Sequence, residues 1–84
     1  MDKYNELRRG VLETLERCVT RYNHYSKQYA ETGDITEFEK ELTMIPVISD
    51  LAFDLAVDIG YSKKTTDKGV EYTRMEIKES EEDE

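Results

Sequence analysis

Two side chains, His24 and Cys18, have the chemistry of a general base and a nucleophile. They are the single histidine and the single cysteine of the chain. The polar neighbours of His24 favour a surface histidine, while Cys18 falls on an apolar helix stripe, where cysteine usually behaves as a small buried hydrophobe. Glycine-rich phosphate loops, Ser-x-x-Lys and His-Glu-x-x-His patterns do not occur. We therefore predict a protein that is not an enzyme, with no catalytic residue, metal or cofactor.

A row of aspartates is the most informative chemical feature. Asp50, Asp54 and Asp58 recur at every fourth position, and on a helix such residues form one line with about 6 Å between neighbours. Like charges at this spacing cost a few tenths of a kcal/mol per pair. Phe53 and Val57 flank the row, and an apolar patch rimmed by carboxylates suits a protein-binding surface. The alternative is that the row is only the solvated edge of a buried helix.

The acidic field extends beyond this row. Residues 33–60 hold seven acidic residues and one basic residue, which accounts for −6 of the net charge of −8. Glu37 and Glu41 are expected to add to the partner-binding surface. An acidic chain disfavours direct contact with nucleic acid or an anionic membrane, because phosphate binding depends on Lys and Arg. The expected partner is a protein with a basic surface, such as one that itself binds nucleic acid.

The elements that must position these residues are mainly α-helical, and α+β at most. Apolar residues recur every three or four positions from Tyr4 to Tyr29, which predicts a long helix at 3–31. Asp2 is its expected N-cap, and Gly33 its C-terminal cap. Two shorter helices are predicted to pack on it, at 35–44 and 46–59, with Asp34 as N-cap of the first. A single kinked helix through Pro46 is the alternative.

The last third of the chain has strand composition. Two stretches rich in Thr, Val and Tyr flank Asp67-Lys68-Gly69, a sequence that suits a type I turn followed by a left-handed glycine. We predict a small β-hairpin at 61–77 that completes a single helical domain over 1–78. Residues 79–84 form an acidic run that predicts a disordered tail.

Tyrosines are unusually frequent on the first helix. Tyr4, Tyr22, Tyr25 and Tyr29 share its apolar stripe, and tyrosine is favoured at interfaces where one end of the ring stays wet. A helix of this length also exceeds what the later elements can cover. Both features favour self-association through these four residues, so the alternative function is a structural or adaptor subunit that acts as a homodimer or larger assembly.

The profile as a whole, short, acidic, helical and without catalytic motifs, is similar to that of small phage-encoded inhibitors such as anti-CRISPR and DNA-mimic proteins. The resemblance is one of composition and implies a viral protein that inhibits or modulates its partner. The N-terminal residues lack the apolar core of a signal peptide, and no apolar run reaches membrane-spanning length. We expect a cytoplasmic protein.

Overall fold

A computed structural model describes residues 3–78. Two helices, α1 (Lys3–Thr32) and α2 (Ile35–Leu55), precede an antiparallel hairpin of β1 (Asp58–Thr65) and β2 (Glu71–Lys78). The mainly α class with a small C-terminal hairpin is thus confirmed. The expected N-cap Asp2 and the acidic tail at 79–84 lie outside the described residues.

A two-residue connection folds α2 back along α1. Gly33 has a φ of 72° and donates its N–H to the Tyr29 carbonyl at 2.7 Å, so it ends α1 in the left-handed conformation that glycine adopts most readily. Asp34 then starts α2, because its Oδ1 accepts the Thr36 N–H at 3.0 Å. Both caps were predicted, and the antiparallel helix pair follows from them.

The prediction of two separate helices at 35–44 and 46–59 is wrong, because α2 runs without a break through Pro46. The proline ring removes one helical hydrogen bond, the one that would end on the Leu42 carbonyl. Pro46 lies on the exposed side of the helix, where water can bind the freed carbonyl. Packing of Glu41 and Ile48 on the opposite side holds the two halves in line.

The end of α2 also differs from the prediction. Ala56 adopts the left-handed conformation (φ 58°), and the N–H of Val57 bonds the Ala52 carbonyl at 3.1 Å. These are the bonds of a Schellman cap, which ends the helix at Leu55. Gly60, the residue after the predicted helix end at 59, lies inside β1, where an added Cβ would collide with the Lys78 side chain.

The hairpin has regular register and the predicted turn. Tyr61 stands opposite Met75, and the pairing extends from Asp58 opposite Lys78 to Thr65 opposite Glu71. Gly69 has a φ of 83° and donates its N–H to the Thr66 carbonyl at 2.9 Å, as a type I turn followed by a left-handed glycine requires.

A core shared by both helices and β2 holds the elements together. Its fully buried members are Leu15 of α1, Ile48 of α2 and Met75 of β2. The side chain of Asn23 fixes β2 against α1: its Nδ2 donates to the Met75 carbonyl at 3.0 Å, and its Oδ1 accepts the Met75 N–H at 2.7 Å. The remaining buried hydrophobics are Cys18, Val19, Tyr22, Ala52, Leu55 and Val57.

Candidate functional site

The side of α2 that faces away from α1 carries a second apolar stripe. At about 100° per residue, four side chains fall within about 40° of one another, opposite the buried Ile48. All are exposed to solvent, with Phe53 at 85%, Ile35 at 57% and Leu42 at 46%. We call this stripe the outer ridge; its members are Ile35, Leu42, Pro46 and Phe53.

Carboxylates line one side of the outer ridge. Asp50 and Asp54 lie on the flank next to Phe53, and Glu39 lies on the same flank about three helical turns before Asp50. All three are exposed. Among the described residues none of the three forms an ion pair within the molecule. Two of the three predicted aspartates therefore do lie next to an exposed phenylalanine.

Asp58 and Val57 do not belong to this surface. Because α2 ends at Leu55, Asp58 is the first residue of β1 and stands opposite Lys78. Val57 is 7% exposed and belongs to the core. The helical row of three aspartates therefore contains only two, and of the two apolar residues predicted to flank the row, only Phe53 does so.

Glu37 and Glu41 also lie elsewhere than expected. Glu41 is 9% exposed, and its carboxylate lies beside the Tyr22 phenol. Burial, together with this carboxylate, raises the pKa of Tyr22 well above its ordinary value. Glu37 is half-buried and lies 3.6 Å from Lys40. Both glutamates thus serve contacts within the molecule.

The four tyrosines predicted for self-association do not form one surface. Tyr22 is buried in the core. Tyr29 packs against Phe38 with 5.0 Å between ring centroids, and the Lys40 ammonium lies 5.6 Å from the ring centroid of Tyr25. Only Tyr4 is largely exposed.

The first turns of α1 extend past the end of α2. A groove of about 250 Å³ there is lined by Val11, Leu55 and Asp54 together with the exposed Tyr4 and Leu7. Arg8 crosses it and donates to the Leu55 carbonyl at 2.9 Å. Leu7 falls within the apolar periodicity of α1, yet α2 is too short to cover it.

Other features of the described residues offer less for chemistry. A cleft of about 380 Å³ between the helices and the hairpin contains Tyr29, Phe38, Tyr72 and the Glu41 carboxylate that Tyr22 already engages. Residues 3–78 contain no group of three or more His, Cys, Asp or Glu side chains placed to hold a metal ion. Neither of the two described helices has the length and apolar character needed to cross a membrane.

Comparison with known proteins finds no matching family model, no matching curated protein and no matching solved structure. The candidate site therefore rests on the positions and exposure of its residues in the structure. The sequence analysis predicted only part of the outer ridge, although the sequence contains a signal for the rest. A second apolar stripe becomes visible in the sequence once α2 is taken as one helix. It consists of residues at helical spacing on the side opposite Ile48, namely Ile35, Leu42 and Phe53.

Proposed function

We propose that this protein binds another protein through the outer ridge of α2 and its acidic flank, and thereby inhibits or modulates that partner. The observation that carries the proposal is the exposure of Phe53, 85%, at the end of an apolar stripe on a helix whose other side already forms the core. A helix that is apolar on both sides is typically buried on both sides.

The partner that fits this surface has an apolar groove with basic residues along one rim. The outer ridge spans about 27 Å from Ile35 to Phe53, enough for a helix-in-groove contact read by several anchors. Apolar contact supplies most of the affinity, while Asp50 and Asp54 contribute orientation and a faster encounter with a positive rim.

Inhibition of the kind found in DNA-mimic and anti-CRISPR proteins would here depend less on charge than the sequence suggested. With Asp58 on β1, the helix presents three exposed carboxylates beside the outer ridge, whereas a DNA strand carries one phosphate per about 3.4 Å of duplex axis. A partner site for nucleic acid would therefore be blocked by occupancy of its apolar groove, with the carboxylates setting the orientation, more than by imitation of phosphates.

Capture of partners from lysate of the source organism tests the proposal with matched variants. Phe53→Ser removes the most exposed apolar side chain of the outer ridge, and Val70→Ser removes an exposed apolar side chain from the hairpin turn instead. A buried aromatic anchor contributes about 2 kcal/mol or more, which corresponds to at least about 30-fold in affinity. The expected result is a protein retained by wild type and Val70→Ser and lost with Phe53→Ser.

Charge is tested separately. The double variant Asp50→Asn with Asp54→Asn is expected to slow association with that same partner at low salt and to differ less from wild type at high salt, because exposed charges are screened. A partner that binds Phe53→Ser as tightly as wild type would contradict the proposal.

A further inference from the structure

The outer edge of β1 carries backbone groups that have no partner in the described chain. In an antiparallel pair, opposed residues alternate between those that bond each other and those whose N–H and C=O point outward. Because both backbone groups of Met75 bond Asn23 instead of β1, the Tyr61–Met75 pair is of the outward type. By the same alternation, Ile59 and Lys63 also direct their backbone groups away from β2.

This edge is open. Within residues 3–78, no backbone hydrogen bond joins it to another segment, and β1 is exposed along most of its length. The opposite edge of the hairpin is closed, since β2 lies along α1 and is bonded there by Asn23. An open edge next to a closed one allows one additional strand and no more.

We infer that β1 pairs with β1 of a second copy of the chain, antiparallel and centred on Tyr61, to form a four-stranded sheet across a twofold axis. Outward-pointing residues must face outward-pointing residues, so odd-numbered positions pair only with odd-numbered ones. That requirement leaves two registers that use nearly the whole strand, one centred on Tyr61 and one centred on Ser62.

Charge complementarity selects the register centred on Tyr61. It places Asp58 of each copy opposite Lys64 of the other, at positions where opposed side chains are closest. The register centred on Ser62 instead places Lys64 opposite Gly60 and Asp58 opposite Thr66. In the favoured register Tyr61, which is 62% exposed in the single chain, meets its own counterpart at the centre of the interface.

This arrangement also explains why assembly stops at two copies. Pairing uses the open β1 edge of each chain, and both remaining edges of the four-stranded sheet are β2 edges closed by Asn23. The interface is isologous, so the same residues serve both copies. It lies on the hairpin, away from Phe53 and the rest of the outer ridge on α2, so its presence does not depend on the proposed function.

Sedimentation equilibrium of the full chain between about 1 and 500 µM tests the pairing. Wild type is expected to show a monomer–dimer equilibrium and no larger species. Lys63→Pro removes one outward N–H and leaves the bonds of the hairpin unchanged, so it is expected to remain monomeric. Lys63→Ala, which removes the same side chain but keeps the N–H, is expected to dimerise like wild type.

A charge exchange tests the register. Lys64→Asp places like charges opposite each other twice, and we expect the dimer to weaken at least about tenfold. Combining it with Asp58→Lys restores the opposed signs and is expected to recover most of that loss. Circular dichroism of each variant checks that the fold is retained. A wild type that stays monomeric at the highest concentration would overturn the inference, as would a dimer that Lys63→Pro leaves intact. If the double variant Asp58→Lys with Lys64→Asp does not recover dimer affinity, the register centred on Tyr61 is wrong.

Discussion

The side-chain amide of Asn23 bonds both backbone groups of Met75, as the neighbouring strand of a sheet would. The two distances are 3.0 Å and 2.7 Å, and the residues are 52 positions apart. The contact closes the free edge of β2 and anchors the hairpin to α1, so a helix side chain takes the place of a third strand.

Asn23→Ala should therefore destabilise the protein. Two partly buried backbone groups lose their partner, which costs about 1 to 3 kcal/mol and lowers the melting temperature by at least about 4 °C. The exposed Thr20→Ala, one turn earlier on α1, is the matched control and should change little. Hydrogen exchange gives a local measure, since the Met75 amide should be protected in wild type and exchange rapidly in Asn23→Ala. Unchanged protection at Met75 would contradict this role for Asn23.

Ala56→Gly should stabilise the fold. Ala56 adopts a φ of 58°, and the left-handed conformation costs a residue with a Cβ about 1 to 2 kcal/mol. Glycine relieves this strain but loses more entropy on folding, so we expect a net gain of up to about 1 kcal/mol in the free energy of unfolding. Urea denaturation measures it. Ala52→Gly, in the body of the same helix, should have the opposite sign, and a loss of stability in Ala56→Gly would show that the cap does not have this conformation.

Pro46→Ala should also stabilise the protein. The substitution restores a helical hydrogen bond to the Leu42 carbonyl and removes a steric clash, against an interior proline penalty of about 3 kcal/mol. Since the unfolded chain gains freedom at the same time, we expect a net gain of about 1 to 2 kcal/mol by thermal denaturation. Ser49→Ala, also exposed on α2, provides the control for helix propensity alone. A Pro46→Ala variant less stable than wild type would contradict a destabilising role for this proline.

Tyr22 should make stability depend on alkaline pH. Because its pKa is raised in the folded state by burial and by Glu41, its contribution is complete below about pH 10 and declines as the pH rises further. Above that pH only the unfolded chain ionises this phenol, so the stability difference between wild type and Tyr22→Phe should shrink by up to about 1.4 kcal/mol per pH unit.

At neutral pH, Tyr22→Phe removes the polar neighbour of the buried Glu41 carboxylate and should lower the free energy of unfolding by about 1 to 3 kcal/mol. Urea denaturation between pH 7 and about pH 11 follows both effects, with the exposed Tyr4→Phe as control. A difference between wild type and Tyr22→Phe that stays constant across this range would exclude a raised pKa.

Local signals in the sequence were sufficient to predict α1, the start of α2 and the turn of the hairpin, but not the continuous α2 or the start of β1 at Asp58. Helical periodicity located α1. The C-terminal cap at Gly33, the N-cap at Asp34 and the turn at Gly69 were also predictable, because the conformation at each of these positions depends mainly on the type of the residue there. Pro46 misled because its cost depends on which side of the helix it occupies. Ala56 carries no local sign that it adopts a glycine-like conformation, so the end of α2 was placed four residues too late.

That late ending also explains why the candidate site was only partly predicted. The prediction correctly placed three residues on one helix surface, namely Asp50, Phe53 and Asp54. It was wrong for Val57 and Asp58, because it extended the helix past its end at Leu55. The burial of Tyr22 and Glu41 depends on how α1 and α2 face each other, and the Asn23–Met75 contact joins residues distant in sequence. Neither relationship leaves a pattern within a short window of the chain.

The short link between the helices gives the molecule an order of assembly. Gly33 and Asp34 alone separate α1 from α2, so the helix pair closes with little loss of chain entropy, and the β-hairpin also forms from neighbouring residues. Docking β2 through Asn23 and Met75 brings together distant parts of the chain, so we expect it to be the slow step. Transient opening of the native protein should proceed in reverse, with the hairpin detaching as one cooperative unit while the helix pair persists.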